Sequence, residues 1–316
     1  MTWQTAVAHA DQLGESPFWH PEEQRLYWVD IPARQLRRLH VPTETVESWA
    51  MPSEPGCIAP ARTAGEASGL VIALRDGIYR AHAWGGDLTR LMLADHDTAT
   101  TRFNDGKADP LGRFWAGTMY EPRDATKAKL WCLDARPGLA DCEVKQDGAI
   151  IANGLAWSPD ASTLYWTDTP SHTIRAWDWD ARANTLASPR VFHQWPGKPT
   201  GWQPGAPEAP GLGTSAGYGG RPDGAAVDVE GNYWVAMFEG GRIVKLSPAG
   251  DQLAVFLLPA RCPTMPCFGG DDLKTLYVTT ASYMRPAVEL AGLPASGCVL
   301  SMRVEVPGLP VNFFVD

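Results

Sequence analysis

Apolar and aromatic residues come in short alternating runs along this chain, and no long segment repeats them at the 3.6-residue period of a helix. Ser16-Pro17-Phe18-Trp19 is followed by Arg25-Leu26-Tyr27-Trp28-Val29-Asp30 and then by Gln35-Leu36-Arg37-Arg38-Leu39. The same order recurs from Asn104 through Arg113-Phe114-Trp115-Ala116 to Lys129-Leu130-Trp131. It recurs from Asn153 through Thr163-Leu164-Tyr165-Trp166 to Thr173-Ile174-Arg175, and from Asp223 through Asn232-Tyr233-Trp234-Val235 to Arg242-Ile243-Val244. Weaker copies begin near Cys57 and Pro266. Each run is bounded by Gly, Pro or Asp, so each reads as a strand ending in a turn. The anchors Glu15, Cys57, Asn104, Asn153, Asp223 and Pro266 stand 42, 47, 49, 70 and 43 residues apart. Six units of 40–50 residues with about four strands each predict an all-β fold, a six-bladed β-propeller with four-stranded blades.

Length alone suggests two domains, but a closed propeller is one domain, so residues 1–316 are read as a single unit. The 70-residue interval holds a Gly- and Pro-dense stretch, 196–220, read as a loop inserted on the rim that carries Asp223 and more mobile than the blades. Its large anchors are Trp195, Trp202 and Tyr218, of which at least one is expected at the substrate or the rim. Trp19, Trp28, Trp115, Trp157, Trp166 and Trp234 occupy equivalent strand positions and are expected in the core.

A net charge of −9 argues against nucleic acid and anionic membranes as partners. No apolar stretch approaches the 18 residues of a membrane span. Met1-Thr2-Trp3-Gln4-Thr5 has neither a basic nor an apolar leader region. The expectation is a soluble cytoplasmic protein, monomeric or weakly dimeric. None of the six cysteines forms a C-x-x-C pair, so they are expected as buried free thiols, with a Cys132–Cys142 bridge as the alternative. The seven histidines are scattered, which disfavours His-based metal chemistry.

Candidate chemistry lies in three turns that open the units. Glu15 in Gly14-Glu15-Ser16-Pro17, Asn153 in Asn153-Gly154 and Asp223 in Pro222-Asp223-Gly224 are ordinary turn residues taken singly. Together they hold the same strand-entry position in different units, and such positions converge on a propeller's central channel. An unpartnered Glu there would repel Asp223, and one divalent cation would resolve the conflict. Three oxygen donors suit Ca, Mg, Mn, Zn or Fe(II). Arg102 and Asn104 alternate onto one face of Arg102-Phe103-Asn104, where a guanidinium fork and an amide fit a polyhydroxylated ligand.

These strings, with Gly117-Thr118-Met119 and Cys267-Phe268-Gly269-Gly270, resemble in order the SMP-30/gluconolactonase family, also called regucalcin, from about Leu13 to Val299. The resemblance implies a six-bladed propeller that opens sugar lactones with one divalent metal in the channel. It implies metal ligation by Glu15, Asn153 and Asp223 and substrate contacts by Arg102 and Asn104. Glu121 would stand for the acidic residue that follows the Gly-Thr-Met string. The 196–220 insertion is longer than the resemblance implies. On this reading Asp223 is also the general base for the attacking water. The family also includes organophosphate-hydrolysing and calcium-binding members. The alternatives are therefore a phosphotriester hydrolase on the same metal, which predicts a more apolar pocket, and a non-catalytic calcium-binding propeller.

Overall fold

The structure of the protein is a computed structural model and describes residues 2–139, 141–204 and 218–316. Six antiparallel sheets follow one another along the chain, and their first strands form a closed ring of neighbours around a central axis. These inner strands are Gly14–His20, Pro55–Thr63, Thr101–Ala108, Ala152–Trp157, Arg221–Val227 and Pro263–Gly269. They open blades 1 to 6, and the sequence expectation of a six-bladed propeller holds. The ring closes because Gln4–Val7 adds to Val299–Arg303 as the outer strand of blade 6, pairing Gln4 with Ser301 and Val7 with Val299.

Packing between blades explains the aromatic repeat. The six tryptophans named above are all buried, from 0% to 5% exposed. Trp28, Trp115 and Trp234 each donate an indole N–H to a buried aspartate, Asp11, Asp109 and Asp228, at 2.7, 2.8 and 2.9 Å. The rings fill the space between sheets, and the aspartates satisfy the donor a buried indole carries. The six cysteines are free thiols. Cys142 pairs in register with Leu133, so Cys132 and Cys142 point to opposite faces of their sheet and cannot bridge.

The sequence reading placed Glu15, Asn153 and Asp223 in turns ahead of strands. All three lie inside the inner strands instead, at a β-bulge. Glu15 pairs with Val29 but Phe18 pairs with Tyr27, so the inner strand has one residue more than its neighbour. The same surplus falls between Phe103 and Gly106, Asn153 and Ala156, and Pro222 and Ala225. It falls also between Pro55 and Cys57, and between Pro263 and Met265. A bulge bends the strand and re-aims its side chains. Gly154 follows Asn153 at φ +62, and a Cβ there would come within 2.5 Å of the Tyr233 hydroxyl. Only glycine fits both that backbone angle and the close approach of Tyr233 from the next blade.

A second departure is at the far end of the channel. The segment after Val304 crosses that end and is stitched to several blades. Leu309 N–H donates to Val227, the Asn312 amide to Ala108 and Val315 N–H to Gly112. Phe314–Val315 then adds to blade 2 as a fifth strand, parallel to the inner strand at Ala61 and Arg62. Asp316 accepts from Arg80 Nε at 2.7 Å and from Thr63 Oγ1 at 2.7 Å. Between this plug and the bulges lies a cavity of about 260 Å³, lined mainly by apolar residues such as Ile58, Ala156, Met265 and Val311. Among the described residues no helix is long and apolar enough to cross a membrane.

Phe314 is fully buried against Phe114 and the core between blades 2 and 3. Phe314→Ala should therefore cost about 3–5 kcal/mol of stability, as large buried aromatics do. The urea midpoint measures it, and a loss below about 1 kcal/mol would show that the tail merely rests on the ring.

Candidate functional site

The opposite end of the channel opens into a cavity of about 510 Å³. Its floor is made by the bulged inner strands and its rim by the loops after each second strand. Because the second strand runs antiparallel to the first, its end returns to the face where the first begins. Glu15, Arg102, Asn104, Asn153, Arg221 and Asp223 come from the floor. Pro32, Arg75, Glu121 and Arg123, Thr169, Glu239, and Tyr283 to Arg285 come from the six rim loops. Every residue expected from the sequence to touch metal or substrate by its blade position or string, Glu15, Arg102, Asn104, Glu121, Asn153 and Asp223, thus lines one cavity.

The floor residues other than the half-buried Arg221 are buried, from 2% exposed at Asn153 to 7% at Arg102 and Asn104. A chain of hydrogen bonds links three blades. Arg102 Nη1 donates to Asn104 Oδ1 at 2.8 Å and to the Phe103 carbonyl at 2.8 Å. Asn104 Nδ2 donates to Asn153 Oδ1 and to the Ala152 carbonyl, both at 3.0 Å. Asn153 Nδ2 donates to Thr169 Oγ1 at 2.8 Å, and that hydroxyl donates to the Pro222 carbonyl at 2.8 Å, one residue before Asp223. This network fixes the Asn153 amide with its nitrogen toward Thr169. It also occupies both donors of Asn104, whose amide holds Arg102 and Asn153 in place.

Among the described residues Glu15 and Asp223 have no cationic partner within salt-bridge distance. Glu15 accepts from its neighbour Ser16 N–H at 3.1 Å. Burial, with the charges of Asp223 and Asp105 added, pushes the Glu15 carboxyl well above the ordinary range. Burial also raises Asp223, against the opposing pull of Arg221. Asp105 lies beneath them, raised by burial, and its Oδ1 is buried without a hydrogen-bond partner while Oδ2 accepts from Leu155 N–H at 3.0 Å. Lys107 is the nearby cation. Its ammonium donates to the Ala225 carbonyl, and burial lowers its pKa.

The rim is held by ion pairs. Glu121 accepts from Arg75 at 2.9 and 3.2 Å and lies 3.6 Å from Arg102 Nε. Arg75 also donates to Glu54 at 3.0 Å. Glu239 lies 2.5 Å from Lys198, 3.2 Å from Arg285 and 3.6 Å from Arg221. The described ends of the 196–220 insertion reach this rim: Pro204 lines the cavity, Trp202 and Tyr218 meet edge to face at 5.3 Å, and Tyr218 is bonded to His172 at 3.0 Å. Trp195 packs instead against the core between blades 4 and 5. Residues 205–217, and with them the expected mobility of the insertion, lie outside the described residues.

Sequence reasoning missed Thr169, Arg75, Arg123, Arg221, Glu239 and Arg285. A signal for most of them was present. Each rim residue falls just after an aromatic or β-branched second strand, as in Met119-Tyr120-Glu121-Pro122-Arg123 and Met237-Phe238-Glu239. Among the described residues no group of three His, Cys, Asp or Glu side chains is arranged to hold a metal ion; the candidate donor set has two carboxylates, and its third oxygen is an amide.

The SMP-30/gluconolactonase/LRE-like region matches residues 13–282. The chain is 41% identical to a 6-deoxy-6-sulfogluconolactonase of Pseudomonas putida over 315 residues, 99% of this chain and 98% of that protein. It is 34% identical to a pentonolactonase of Haloferax volcanii, covering 89% and 86% of the two chains, and 30% identical to regucalcin of Danio rerio, covering 96% and 95%. Among solved structures, a calcium-binding regucalcin of Agrobacterium tumefaciens superposes with a TM-score of 0.86 at 24% identity, over 99% and 97% of the chains, a likeness of fold. A luciferin-regenerating enzyme superposes with a TM-score of 0.84 at 26% identity, over 100% and 99%. On the extent of the family match and these identities, the chain belongs to the SMP-30/gluconolactonase/LRE-like family.

Proposed function

We propose that the protein is a metal-dependent lactonase that hydrolyses a sugar lactone to its aldonic acid. The observation that carries this reading is the pair of buried, mutually opposed carboxylates, Glu15 and Asp223, set beside a fixed Asn153 amide. Two acids that disfavour each other's ionisation in a buried floor fit a divalent cation, and an amide oxygen completes a hard donor set. Glu15, Asn153 and Asp223 would hold the ion. When bound, it supplies Lewis-acid polarisation of the lactone carbonyl and lowers the pKa of a water. The oxygen-only donors leave Ca, Mg, Mn, Zn and Fe(II) all compatible.

The chain's own residues then do the following. Asp223 Oδ takes the proton of the attacking water as its oxygen bonds to the carbonyl carbon. The ring C–O bond breaks, the leaving alkoxide takes that proton from Asp223, and the new acid loses its own proton to solvent, giving a hydroxyl and a carboxylate. Arg102, held by Asn104 and Glu121, presents its guanidinium edge to ring oxygens. Asn104 keeps Arg102 and Asn153 in register. Relatives named for a sulfogluconolactone and a pentonolactone share the same reacting carbonyl. The polar wall of Arg102, Asn104 and Glu121 weighs against the phosphotriester reading, which calls for an apolar pocket. We assign the segment 196–220, inserted in a single domain, to cover the cavity mouth, and the free thiols to a reducing cytoplasm. Excising 205–217 should change KM for lactones while the metal still binds; unchanged KM for every lactone would remove the loop from the site.

Ala substitution of Glu15, Asn153 or Asp223 should abolish metal-dependent turnover of an aldonolactone while leaving the circular dichroism of the propeller intact. Arg102→Ala should lower kcat/KM by about one to three powers of ten, roughly 1.4–4 kcal/mol of transition-state binding, with metal affinity little changed. Asn104→Ala should weaken metal as well, through Asn153. Full activity in thoroughly chelated protein refutes the reading.

The raised carboxyls also set a pH dependence. In the metal-free fold Glu15 and Asp223 keep protons that the unfolded chain has already released, so the folded state binds more protons. Stability then falls as pH rises from the ordinary carboxylate range, about 4, through their raised values. The metal-free Tm of wild type should drop relative to Glu15→Gln between about pH 5 and pH 8. Comparing the two proteins cancels Asp11, raised to about 7 by burial, and His20, His96 and His172, which burial lowers and which tilt stability the other way. Added divalent ion should raise Tm most at the upper end of that interval. Parallel pH profiles for the two metal-free proteins would show that Glu15 is not held protonated.

A further inference from the structure

On the rim, four cations stand against two carboxylates. Arg285 donates to Glu289 at 2.8 and 2.7 Å and reaches Glu239 at 3.2 Å, while Lys198 takes Glu239 at 2.5 Å. Glu239 is thus shared, with Arg221 as a third cation acting on it. Arg221 is left with Glu239 at 3.6 Å and the face of Phe238 at 5.2 Å, and its Nε is buried without an acceptor. Arg123 comes from the loop of blade 3, across the mouth from Arg221 in blade 5, and its guanidinium has no ion pair or hydrogen bond with any described residue. The nearest acid on its own loop, Glu121, is committed to Arg75 and Arg102. The two guanidinium groups repel each other, since Arg221 is, after burial, the largest influence lowering Arg123. Arg123 is exposed and Arg221 keeps a buried Nε without an acceptor, so two like charges at one mouth favour an anion between them.

We propose that Arg123 and Arg221 form a subsite for an oxyanion carried on the substrate, a sulfonate, phosphate or carboxylate at the end of the sugar remote from the lactone carbonyl. Placement supports the remote end. Arg221 lies two residues before Asp223 in one extended strand, which separates their Cα atoms by about 7 Å, and it lies on the solvent side of the floor. A carbonyl at Asp223 therefore directs the far end of a six-carbon chain toward Arg221 and the mouth. The forked donors of both arginines match the oxygens of such a group, whereas a neutral hydroxymethyl would leave the two charges facing each other. The inference rests on the lactonase reading for the position of the carbonyl.

The test compares full-length wild type, Arg123→Ala, Arg123→Lys and Arg221→Gln, each loaded with Mn. Arg123 makes no side-chain hydrogen bond or ion pair with any described residue, so its truncation should leave the fold intact. Turnover of D-glucono-1,5-lactone is compared with that of its 6-phosphate and its 6-deoxy-6-sulfonate. Binding of gluconate, 6-phosphogluconate and the 6-sulfonate is measured by calorimetry. Wild type should favour at least one of the 6-anionic compounds by tenfold or more, in KM and in Kd, with the preference shrinking as salt is raised. Arg123→Ala and Arg221→Gln should each remove most of that preference through KM, and Arg123→Lys should keep part of it. The phosphate and sulfonate arms tell which oxyanion is accommodated. Equal binding of anionic and neutral acids by wild type, or variants that weaken both alike, would overturn the subsite. If no lactone is turned over but 6-anionic acids still bind tighter in an Arg123-dependent way, the lactonase reading fails and the subsite stands.

Discussion

Each inner strand carries one residue more than its neighbour at the same height of the channel, and the site depends on that mismatch. In a regular ladder, side chains alternate strictly between the two faces of a sheet, and the entry residues of six strands would pair outward with the blades. The bulge breaks the alternation at Glu15, Asn104, Asn153 and Asp223 and turns them toward the axis. It also leaves local backbone groups without ladder partners, and side chains take them up. Ser16 Oγ accepts from Ile58 N–H, Asp105 accepts from Leu155 N–H, and the Tyr233 hydroxyl donates to the Gly154 carbonyl. Each of these contacts crosses to an adjacent blade, so the device that aims the site also ties the ring together.

Burial then gives the floor its chemistry. Two carboxylates and a third, Asp105, sit where water is scarce, with one buried ammonium, Lys107, as local relief. Such an arrangement costs stability in the folded protein unless a cation or protons compensate it. The Asn–Thr–Pro hydrogen-bond chain keeps the geometry while that charge state changes, because none of its members titrates in the ordinary range. Rigid orientation and variable protonation are thereby assigned to different residues.

The fold was legible because the repeat is written in the chain itself. Tyr27-Trp28, Phe114-Trp115, Tyr165-Trp166 and Tyr233-Trp234 mark second strands, and each needs a neighbouring blade to bury it. The floor was legible because Glu15, Asn153 and Asp223 occupy matching positions next to glycine or proline. Their local structure was not, since Asn-Gly and Asp-Gly predict turns equally well, and a bulge differs from a turn only through pairing with a strand ten or more residues away. The plug from 305 to 316 was invisible for a related reason: Phe314 is buried by a parallel pairing across more than 250 residues, with no periodic signal of its own. The rim charges were missed because single Arg and Glu residues in loops read as solvated surface, and only the return of every second strand to one face collects them.

Floor and rim therefore answer to different constraints. A floor residue must satisfy the bulge, the neighbouring blade and the donor set at once, so few residue types fit. A rim residue must only keep its loop soluble and reach the mouth. Glu121 illustrates the second case, its carboxylate shared by Arg75 and Arg102, so that exchanging it alters charge at the mouth without moving Asn153 or Asp223. A scaffold divided in this way can keep one reacting carbonyl at the axis and change the remainder of the substrate it accepts. The division also explains why relatives named for a pentonolactone and for a sulfogluconolactone align with this chain over most of their length. On the lactonase proposal, the common part of such substrates would meet the floor, and the parts that differ would extend toward loops that impose little on the fold.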